Sequence, residues 1–533
     1  MADMTTDVLI IGTGPAGSAT AALLSTYGIE NMVVNRYRRL ANGPRAHITN
    51  QRTIEVLRDL GPEVEAEAHM HATEQDLMGL NVFCESLTGE EPGRIQTWGT
   101  HPLSRAEHEL SSPSKMNDLP RTFMEPLLFK TACSRGTQAR MSCEYQSHEA
   151  DLSQHVAHRP SVLCWVMQPG SNVGGIGKGV VRMVRPWNEW LAIWGYDNQG
   201  ARPELTDDEA RKIIRDLVGD PDLEIDMQAI SYWTVNDAYA TQMSRGCVFI
   251  MGDAAHRHPP SNGLGSDTSI QDAFNLAWKL AAVLKGQAGE GLLDTYNAER
   301  APIARQIVTR ANQSIGEFGP IFEALGLIGH SDPVVMQANM DKRCDNTPDA
   351  EAQRTALRDA IAFKKYEFDA HGFEMNQRYR SDAVVTDGQM EPGFDLDPEL
   401  HYQPTTWPGA RIPHVWLYDA QGGRHSTLDL TGGGFALLSG LNGRAWAEAG
   451  KAVAADMGIQ LSGHIIGPRQ PLVDHTGDWA RAREVGEAGC VLVRPDHHVA
   501  WRVEGMSDNP KAELARVFAC ILAKSTDRQE AAP

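Results

Sequence analysis

The stretch DVLIIGTGPAGSATAALLSTYG, residues 7–28, decides the fold of the first part of the chain. Residues 7–11 are an apolar run of the kind found in buried parallel strands. Residues 15–27 predict a helix with small residues on one face, and Gly28 ends it as a C-terminal cap. Residues 32–34 predict the next strand. The stretch therefore predicts a β-α-β unit, which opens a Rossmann-like α/β sheet.

The loop inside this unit has the spacing GxGxxG and consists of Gly12, Thr13, Gly14, Pro15, Ala16 and Gly17. The first glycine permits a tight turn, the second lets the backbone approach a pyrophosphate, and the third lets helix and strand pack closely. The helix N-terminus faces the phosphate charge. Asn35 stands where an acidic residue usually binds the ribose, and its amide can still bond a hydroxyl. The loop predicts dinucleotide binding.

A second glycine-rich segment, GDAAHRHPPSNGLG, covers residues 252–265. It follows a predicted buried strand at 247–251 and precedes a predicted helix at 269–285. Asp253 at the strand end can bond the ribityl hydroxyls of a flavin, and the turn aims backbone N–H groups at an anionic ring edge. The alternatives are an ordinary strand-loop-helix connection and a metal site at His256 and His258. Two histidines with one carboxylate are a poor ligand set, so we expect no metal.

The composition narrows the class of protein. The chain has 533 residues and a formal charge of 49 − 69 = −20, which argues against a nucleic-acid partner. No apolar stretch approaches the roughly 20 residues that cross a bilayer, and we expect no membrane partner. The N-terminus has no signal-peptide pattern. Eight scattered cysteines without a CxxC pair indicate free thiols, and we expect a cytoplasmic protein.

The pairing of GTGPAG with the distant GDAAHRHPPSNGLG resembles the group A flavoprotein monooxygenases, the p-hydroxybenzoate and phenol hydroxylase family. The C-terminal stretch VLVRPDHHVAWR, residues 491–502, is similar to the thioredoxin-like domain of phenol hydroxylases. Further stretches are similar to family members: PRAHITNQRTIEVLRDLG (44–61), VAHRPSVLCWVMQPGSNVGG (156–175), VVRMVRPWNEWLAIWGYD (180–197) and LLDTYNAERAPIARQIV (292–308).

The resemblance implies a fold of class α/β. A Rossmann-like FAD-binding domain would be interleaved with an antiparallel-sheet substrate domain and followed by a thioredoxin-like C-terminal domain. The expected division is 1–150 and 236–330 for FAD binding, 62–120 and 151–235 for the substrate sheet, 331–384 for a helical linker, and 385–533 for the C-terminal domain. Within the linker, the stretch 329–350 is polar and irregular.

The resemblance implies an FAD-dependent monooxygenase that uses NADPH and O₂. It would hydroxylate a phenol, chlorinated in the expected case, ortho to its hydroxyl through a flavin C4a-hydroperoxide, in aromatic degradation. We expect a homo-oligomer. A larger polycyclic aromatic substrate is the alternative within the same chemistry.

The resemblance also assigns site residues. Arg45 and Arg52 would lie over the cofactor phosphates, with surface solvation as the alternative, and Arg121 would lie near the ribityl chain. His47 is the candidate base that accepts the phenol proton; the alternative is a loop histidine bonded to backbone. The remaining residues expected to hold FAD are Gly12, Gly14, Pro15, Ala16, Gly17, Asn35, Gly252, Asp253, Pro259, Asn262, Gly263, Leu264 and Gly265.

One part of the family pattern is missing. Relatives carry several more strands and a GADGxxS segment after the strand near 139–145, whereas here residues 144–150 run directly into 151–155. Loss of strands exposes sheet edges and an apolar face. Three explanations stay open: a defective reading frame, a non-catalytic flavin-binding remnant, or a rebuilt sheet that still works.

Overall fold

The computed structural model describes residues 5–38, 40, 46–73, 75–141, 163–170, 176–185, 189–196, 203–232 and 234–524. Arg45 and the junction near residue 150 lie outside these ranges. The strands are β1 Val8–Ile11, β2 Asn31–Val34, β3 Ile48–Thr49, β4 Leu80–Cys84, β5 Gly93–Gln96, β6 Asn117–Asp118, β7 Gln138–Arg140, β8 Leu163–Pro169, β9 Ile176–Arg185, β10 Glu189–Trp194, β11 Ala238–Tyr239, β12 Ser244–Arg245, β13 Val248–Phe249, β14 His256–Arg257, β15 Trp416–Tyr418, β16 Arg424–Ser426, β17 Phe435–Ser439, β18 Leu461–Ile465, β19 Cys490–Val493 and β20 Val499–Val503.

The helices alternate with these strands at the start of the chain and dominate its middle. They are α1 Pro15–Thr26, α2 Gln51–Leu60, α3 Pro62–His71, α4 Gln75–Met78, α5 Pro102–Ser111, α6 Arg121–Ser134, α7 Asp207–Val218, α8 Gly265–Leu284, α9 Gly291–Gly316, α10 Gly319–Ala324, α11 Pro333–Asp341, α12 Pro348–Phe363, α13 Lys365–Phe368, α14 His371–Met375, α15 Arg444–Met457, α16 Asp478–Ala482 and α17 Pro510–Ile521.

The predicted β-α-β unit is present. Strands β1, β2 and β7 form a parallel sheet in the order β1-β2-β7, with Val8 opposite Asn31 and Val34 opposite Arg140. Helix α1 packs against α6 and α8, and small residues such as Ala19, Ala22 and Ala273 are buried where these helices meet. The alanines let the helix axes approach closely, which brings the first helix to the distant α8.

Strand β1 lies at the edge of this sheet, which corrects the prediction of a buried strand. Among the described residues it pairs only with β2, and Leu9 and Ile11 are 56% and 85% exposed. Only Ile10 of this strand is buried. Successive side chains of a strand point to opposite faces of the sheet. All residues of an apolar strand are therefore buried only where other elements cover both faces.

The segment 247–251 is also not the predicted buried strand. Val248 is 63% exposed, and the two residues of β13 pair antiparallel with β12 in a hairpin rather than joining the parallel sheet. As at β1, Val248 is exposed because no described element covers its side chain. Among the described strands, none joins β13 to the sheet of β1. The sheet of the cofactor region is therefore narrower than expected.

A second sheet has the order β10-β9-β8-β4-β5. It is mixed rather than antiparallel throughout, because β4 and β8 pair in parallel, with Phe83 opposite Trp165. Parallel neighbours require a long crossover connection, and here the chain passes through α5, α6 and β7 between them. Its other strand pairs are antiparallel, as predicted.

The two faces of this sheet have different partners. Cys164, Val166 and Val181 point to one face, where they pack against Leu217 and Val218 of α7. The opposite face meets the segment 318–368, whose packed side chains are apolar: Phe318, Ile321, Leu325, Met336, Met340, Leu357, Ala360, Ile361 and Phe368. The polar stretch predicted as irregular at 329–350 thus contains α11 and the start of α12.

The C-terminal region contains a four-stranded sheet in the order β18-β17-β19-β20. Strand β17 is parallel to β18 and antiparallel to β19, and α15 connects β17 to β18. Buried charges join this region to the helices of the cofactor region. Arg494 contacts Glu299 of α9 at 2.6 Å, and Glu299 contacts Lys279 of α8 at 2.7 Å, with all three side chains fully buried.

Candidate functional site

A cavity of about 1800 Å³ lies between the cofactor region and the mixed sheet. Ligand pockets are usually about 300–1,000 Å³, so this cavity has room for more than one small molecule. It is lined by the GTGPAG loop, the turn at 252–265 and the sheet face that carries Trp165. The two glycine-rich segments are direct neighbours, because a Cβ built on Gly252 would lie 3.3 Å from Cβ of Ala16.

The GTGPAG loop has the shape that a pyrophosphate requires. Gly12 has φ of +106°, which favours glycine, and neither Gly12 nor Gly14 has an atom within 4 Å of the place of its missing Cβ. A Cβ on Gly17 would lie 2.1 Å from the carbonyl oxygen of Gly12, so the third glycine allows the loop to close on the helix. The N-terminus of α1 has no side-chain cap at Gly14, which leaves its N–H groups for an anionic ligand.

The second turn presents another helix N-terminus to the same cavity. Gly265 and Ser266 line it at the start of α8, and Leu264 provides no side-chain cap. Gly263 has φ of +71°, and a Cβ there would lie 3.0 Å from Cβ of Ile48. The positive end of the 20-residue helix thus favours negative charge at this wall of the cavity. Gly252, Asp253, Pro259 and Gly263 also line the cavity, as expected.

A buried carboxylate holds this second turn in place. Asp272 of α8 accepts a hydrogen bond from the backbone N–H of Gly252 at 3.1 Å and contacts Nε2 of His256 at 2.9 Å. Its other oxygen accepts from Nε of Arg300 at 2.7 Å. Burial raises the pKa of Asp272, but Arg300 and His256 outweigh it and hold the pKa below its usual value. His256 therefore fixes the turn, and no metal cluster occurs among the described residues.

The structure does not bring every predicted residue to the cavity. Arg121 lines it and lies 2.9 Å from Glu125, but Asn35 and Arg52 do not line it. The Arg52 side chain is buried near the charges of Glu55, Arg411 and Asp496, because it lies in the first turn of α2 on a buried face. Its place over the cofactor phosphates stays a prediction.

Two residues of the predicted turn contribute differently from expectation. The side chain of Leu264 is buried with Ile303 and Phe373, away from the cavity. Asn262 lines the cavity with φ of 63°, but its side chain is used elsewhere. Its amide donates to the carbonyl of Tyr366 at 2.8 Å and accepts from Ser314 at 2.7 Å. Asn262 therefore tethers the turn to α9 and α13.

His47 also lines the cavity, and a carboxylate orients it. Its Nδ1 lies 2.8 Å from Oδ2 of the buried Asp118, whose other oxygen lies 3.3 Å from Nη2 of Arg182. The short ladder of β3 and β6 brings the histidine and the aspartate together. Because an ionised carboxylate only accepts hydrogen bonds, Nδ1 donates to it and Nε2 is left as an acceptor.

The electrostatics keep this histidine neutral. Burial lowers the pKa of His47 to about 4, Arg182 adds to the lowering, and Asp118 opposes it. Burial raises the pKa of Asp118, but His47 and Arg182 outweigh it and hold the pKa below its usual value. At neutral pH the site therefore contains a neutral imidazole with a free lone pair on Nε2 beside an ionised carboxylate, so Nε2 can accept a hydrogen bond from a phenol.

Aromatic side chains surround the rest of this end of the cavity. Trp165 of β8 lies 4.4 Å from Phe318 between ring centroids, and Phe368 contacts both Trp98 and Trp165 at 6.2 Å. All four rings line the cavity, together with Trp190 and Trp194 of β10. These rings give this end of the cavity an apolar, aromatic lining of the kind that binds an aromatic ring.

Sequence reasoning missed Asp118, Arg182 and Lys178 at this site. A signal was present in β9, where Lys178 and Arg182 are four residues apart and so share one face of the strand. Two cations on one face of an otherwise apolar strand indicate a polar wall inside the protein. Asp118 gives no such signal, because it is a single aspartate in the polar stretch 111–118.

Two family profiles match most of the chain. A profile of the FAD binding domain matches residues 5–155 and 148–311, and a profile of the aromatic-ring hydroxylase C-terminal region matches residues 405–524. The first profile matches in two overlapping pieces that meet near residue 150. This is where the sequence lacks the expected strands.

Characterised relatives span nearly the whole chain. A 2,4-dichlorophenol 6-monooxygenase of Delftia acidovorans is 48% identical over 96% of this chain and 98% of its own length. A phenol 2-monooxygenase of Pseudomonas sp. (strain EST1001) is 45% identical over 97% of this chain and 93% of its own length. The alignment with the Delftia protein spans 577 positions against 533 residues here, so at least 577 − 533 = 44 positions have no counterpart in this chain.

Solved structures show the same fold. The flavin-dependent monooxygenase PieE, in complex with FAD and substrate, superposes with a TM-score of 0.91 and 38% identity over 98% of this chain and 100% of its own. Aklavinone-11 hydroxylase, in complex with FAD and aklavinone, superposes with a TM-score of 0.76 and 26% identity over 98% of this chain and 100% of its own. On the two profiles, the relatives and the paired glycine turns, this chain belongs to the family of FAD-dependent aromatic-ring hydroxylases.

Proposed function

We propose that the protein hydroxylates a phenol at the carbon next to its hydroxyl, with NADPH and O₂ as co-substrates and chlorinated phenols as the substrate class. One observation carries the proposal: the His47–Asp118 pair faces an aromatic-lined pocket that is continuous with the two glycine-rich turns. The names of the 2,4-dichlorophenol and phenol hydroxylases among the relatives support the substrate class.

The residues present fit FAD. Gly12, Gly14 and Gly17 would hold the pyrophosphate at the N-terminus of α1, and Asp253 would bind the ribityl hydroxyls. The N-terminus of α8 would lie at the ring edge that gains negative charge on reduction. When bound, the flavin supplies the reduction of O₂ and the transfer of one oxygen atom, and the protein supplies orientation and a dry pocket.

His47 would take the phenol proton at Nε2. An ionised phenol pushes electron density onto the ring carbon beside its oxygen, which is the carbon to be hydroxylated. Asp118 would orient the imidazole through Nδ1 and stabilise the imidazolium that forms. Arg182 would balance the second oxygen of Asp118 so that the carboxylate stays ionised. The rings of Trp165, Phe318 and Phe368 would position the substrate.

We infer that residues 385–533 form a domain of thioredoxin-like topology. The support is the order β18-β17-β19-β20, with one parallel and two antiparallel pairs and α15 between the parallel strands. Cys490 in β19 is fully buried, and burial raises the pKa of its thiol well above the usual value. Such a thiol is inert, so the domain would be structural.

The experiment is a spectrum followed by turnover. We expect the purified protein to show flavin absorbance that NADPH bleaches faster when 2,4-dichlorophenol is added. The product would be the phenol with one added oxygen atom, in amounts matching the NADPH oxidised. A protein that binds FAD but oxidises NADPH without forming product from any phenol would overturn the proposal and favour the non-catalytic remnant.

The role of His47 has its own test. We expect His47→Ala to lower the rate of product formation by about 10²-fold to 10⁴-fold, since a positioned base contributes that much. The exposed His330 is the matched control, and His330→Ala should leave the rate unchanged. Unchanged turnover in His47→Ala would remove the histidine from the mechanism.

The size of the cavity favours a second candidate. At about 1800 Å³ it exceeds what FAD and a single phenol ring need, and a relative with a solved structure holds the polycyclic aklavinone. A larger aromatic substrate would use the same base and the same rings. Higher kcat/KM for a polycyclic phenol than for 2,4-dichlorophenol would favour this reading.

We also infer a homo-oligomer in a reducing, cytoplasmic compartment. The support for the compartment is that Cys84, Cys133, Cys164, Cys247, Cys344, Cys490 and Cys520 are all free thiols. Separately, none of the described helices has the length and apolarity to span a bilayer. Sedimentation of the FAD-bound protein would give the oligomeric state.

A further inference from the structure

Strand β1 has one edge along which its backbone groups are unpaired. The N–H groups of Val8 and Gly12 bond to carbonyl oxygens on the β2 side, at 3.3 and 2.8 Å. Alternate residues of a strand direct their N–H and C=O groups to opposite edges, so those of Leu9 and Ile11 point away from β2. Among the described strands, none pairs with this edge. Leu9 and Ile11 thus present two donors and two acceptors to an incoming chain.

Apolar side chains surround this edge. Leu9 and Ile11 are more than half exposed, as is Val248 of β13, and all three line the large cavity. Helix α8 contributes Leu276 and Leu280 to the same lining. We call these five residues the β1 groove. None of them carries a charge, so the β1 groove suits an apolar occupant.

The β1 groove ends at the two cofactor turns. Ile11 directly precedes Gly12 of the GTGPAG loop, and Met251 directly precedes Gly252 of the second turn. At this end the two sides are in contact, because Oγ1 of Thr20 in α1 lies 3.2 Å from Sδ of Met251. The β1 groove therefore lies beside the expected FAD site and includes neither glycine-rich turn.

The chemistry of the β1 groove selects an extended chain as its occupant. Unpaired N–H and C=O groups at a strand edge are bonded by the backbone of another strand, whereas a helix has already used its own backbone groups. In such a pairing the backbone bonds provide affinity, and the side chains of the added strand provide specificity. Because the surrounding side chains are apolar, the added strand that fits best is apolar as well.

We propose that the β1 groove binds an extended apolar segment of a partner protein, which adds a fourth strand beside β1 to the sheet β1-β2-β7. The added strand would bond to the backbone of Leu9 and Ile11 and would place apolar side chains against Val248, Leu276 and Leu280. This interaction is separate from hydroxylation, since none of these residues belongs to the proposed catalytic pair or to the turns expected to hold FAD.

The test uses the FAD-bound protein and a short synthetic peptide. The probe is a labelled six-residue peptide of valine and isoleucine with one lysine added at each end for solubility. Fluorescence anisotropy should show saturable binding of one peptide per protein. At saturating peptide the melting temperature should rise by about 1–3 °C, because the peptide binds only the folded chain.

A modified peptide separates strand pairing from simple apolar contact. The same peptide with N-methyl groups on alternate residues keeps its side chains but cannot donate to the carbonyl groups of Leu9 and Ile11. We expect it to bind about tenfold more weakly or less, as for the loss of two hydrogen bonds. This comparison uses the wild-type protein, so it does not depend on how any variant folds.

Two variants test the same edge from the side of the protein. Leu9→Pro removes an N–H that points away from β2, and proline is tolerated at such an edge position. It should keep the flavin absorbance and bind the peptide about tenfold more weakly than the wild-type protein. Leu9→Ala keeps the N–H and shortens the side chain, so it should bind the peptide more tightly than Leu9→Pro.

The inference is overturned if the wild-type protein does not bind the unmodified peptide, or if the N-methylated peptide binds equally well. Sedimentation without peptide examines the other possible occupant, a second copy of this chain. If the wild-type protein forms an oligomer that dissociates in Leu9→Pro, the edge is an interface between copies, and the proposal of a partner segment is wrong.

Discussion

At the scale of single residues, two glycines of the GTGPAG loop have opposite reasons to be glycine. A side chain at Gly14 would meet no protein atom within 4 Å, whereas one at Gly17 would collide with the carbonyl of Gly12 at 2.1 Å. Gly14 also has φ of −65°, which any residue adopts. The space beside Gly14 is therefore reserved for a ligand, and the space beside Gly17 is already taken by the protein.

This difference gives a prediction. Gly14→Ala should leave the thermal stability of the FAD-free protein unchanged but weaken FAD binding by about tenfold or more, because the methyl group occupies the place of the pyrophosphate. Gly17→Ala should lower the stability of the FAD-free protein by about 1–3 kcal/mol, the usual cost of overpacking. Calorimetry of the FAD-free protein and fluorescence titration with FAD measure the two effects. Equal FAD affinity in Gly14→Ala and the wild-type protein would contradict the assignment of the loop.

The charge on Arg182 adds to the effect of burial in lowering the pKa of His47. With a pKa of about 4, His47 stays neutral as the pH falls from 7 to 5, so the base form persists there. We expect the acid limb of kcat/KM that reports this group to lie near pH 4. Arg182→Gln removes a cation that lowers the pKa, so the limb should move up towards the ordinary value of about 6.5.

The measurement is a pH profile of kcat/KM with one uncharged phenol, for the wild-type protein and Arg182→Gln. Arg343→Gln, at an ion pair with Glu85 and Glu90 outside the cavity, is a control that should leave the profile unmoved. A limb that stays in place or moves to lower pH in Arg182→Gln would contradict the coupling.

At the scale of elements, helix α8 holds the second glycine turn through one carboxylate. Asp272 contacts Gly252, His256 and Arg300, and each of these partners is buried. Removal of one partner from a buried ion pair leaves an uncompensated charge, which costs about 3–5 kcal/mol. The turn and the helix N-terminus are thus positioned by the same residue.

We expect Asp272→Asn to lower the free energy of unfolding by about 3–5 kcal/mol and to weaken FAD binding, since Arg300 loses its anion and Gly252 its acceptor. Asp294→Asn, an exposed carboxylate in the first turn of α9, should change neither quantity by more than about 0.5 kcal/mol. Denaturant unfolding and FAD titration provide the two readouts. Wild-type FAD affinity in Asp272→Asn would show that the turn is positioned by other contacts.

At the scale of the whole molecule, β1 lies at the edge of its sheet among the described strands. Leu9 and Ile11 are exposed along this strand, and Leu9, Ile11 and Val248 line the same cavity as the cofactor loops. Exposed apolar edges of sheets pair with other chains and promote aggregation. Within the part of the chain that the structure describes, β1 is therefore a candidate site of aggregation.

We therefore expect the double variant Leu9→Thr, Ile11→Thr to aggregate severalfold more slowly on heating, with a melting temperature close to that of the wild-type protein. Threonine keeps the strand propensity and removes the apolar contact. Ile10→Thr is the contrasting control, because Ile10 is buried in the core of the cofactor region and its loss should destabilise the fold. Light scattering and calorimetry follow the two effects, and equal aggregation of the double variant and the wild-type protein would contradict the explanation.

The sequence by itself determined the β-α-β unit, the two glycine-rich turns and the family, because these depend on local spacing. GxGxxG between a strand and a helix specifies the backbone at Gly12, Gly14 and Gly17, and that geometry is local. The candidate base His47, which the resemblance implied, also lines the cavity.

Only the tertiary structure decided which side chains complete the site and which do not. Asp118 contacts His47, which lies 71 residues before it in the chain. Arg182 contacts the same Asp118 and lies 64 residues after it. No local pattern encodes such contacts, since they depend on how two sheets are placed against each other. Only the tertiary contacts show that Arg52 is buried near Glu55, Arg411 and Asp496, and its place over the cofactor phosphates stays a prediction. The exposure of β1 likewise follows from its place at the edge of the sheet among the described strands, which the apolar run Val8–Ile11 could not reveal.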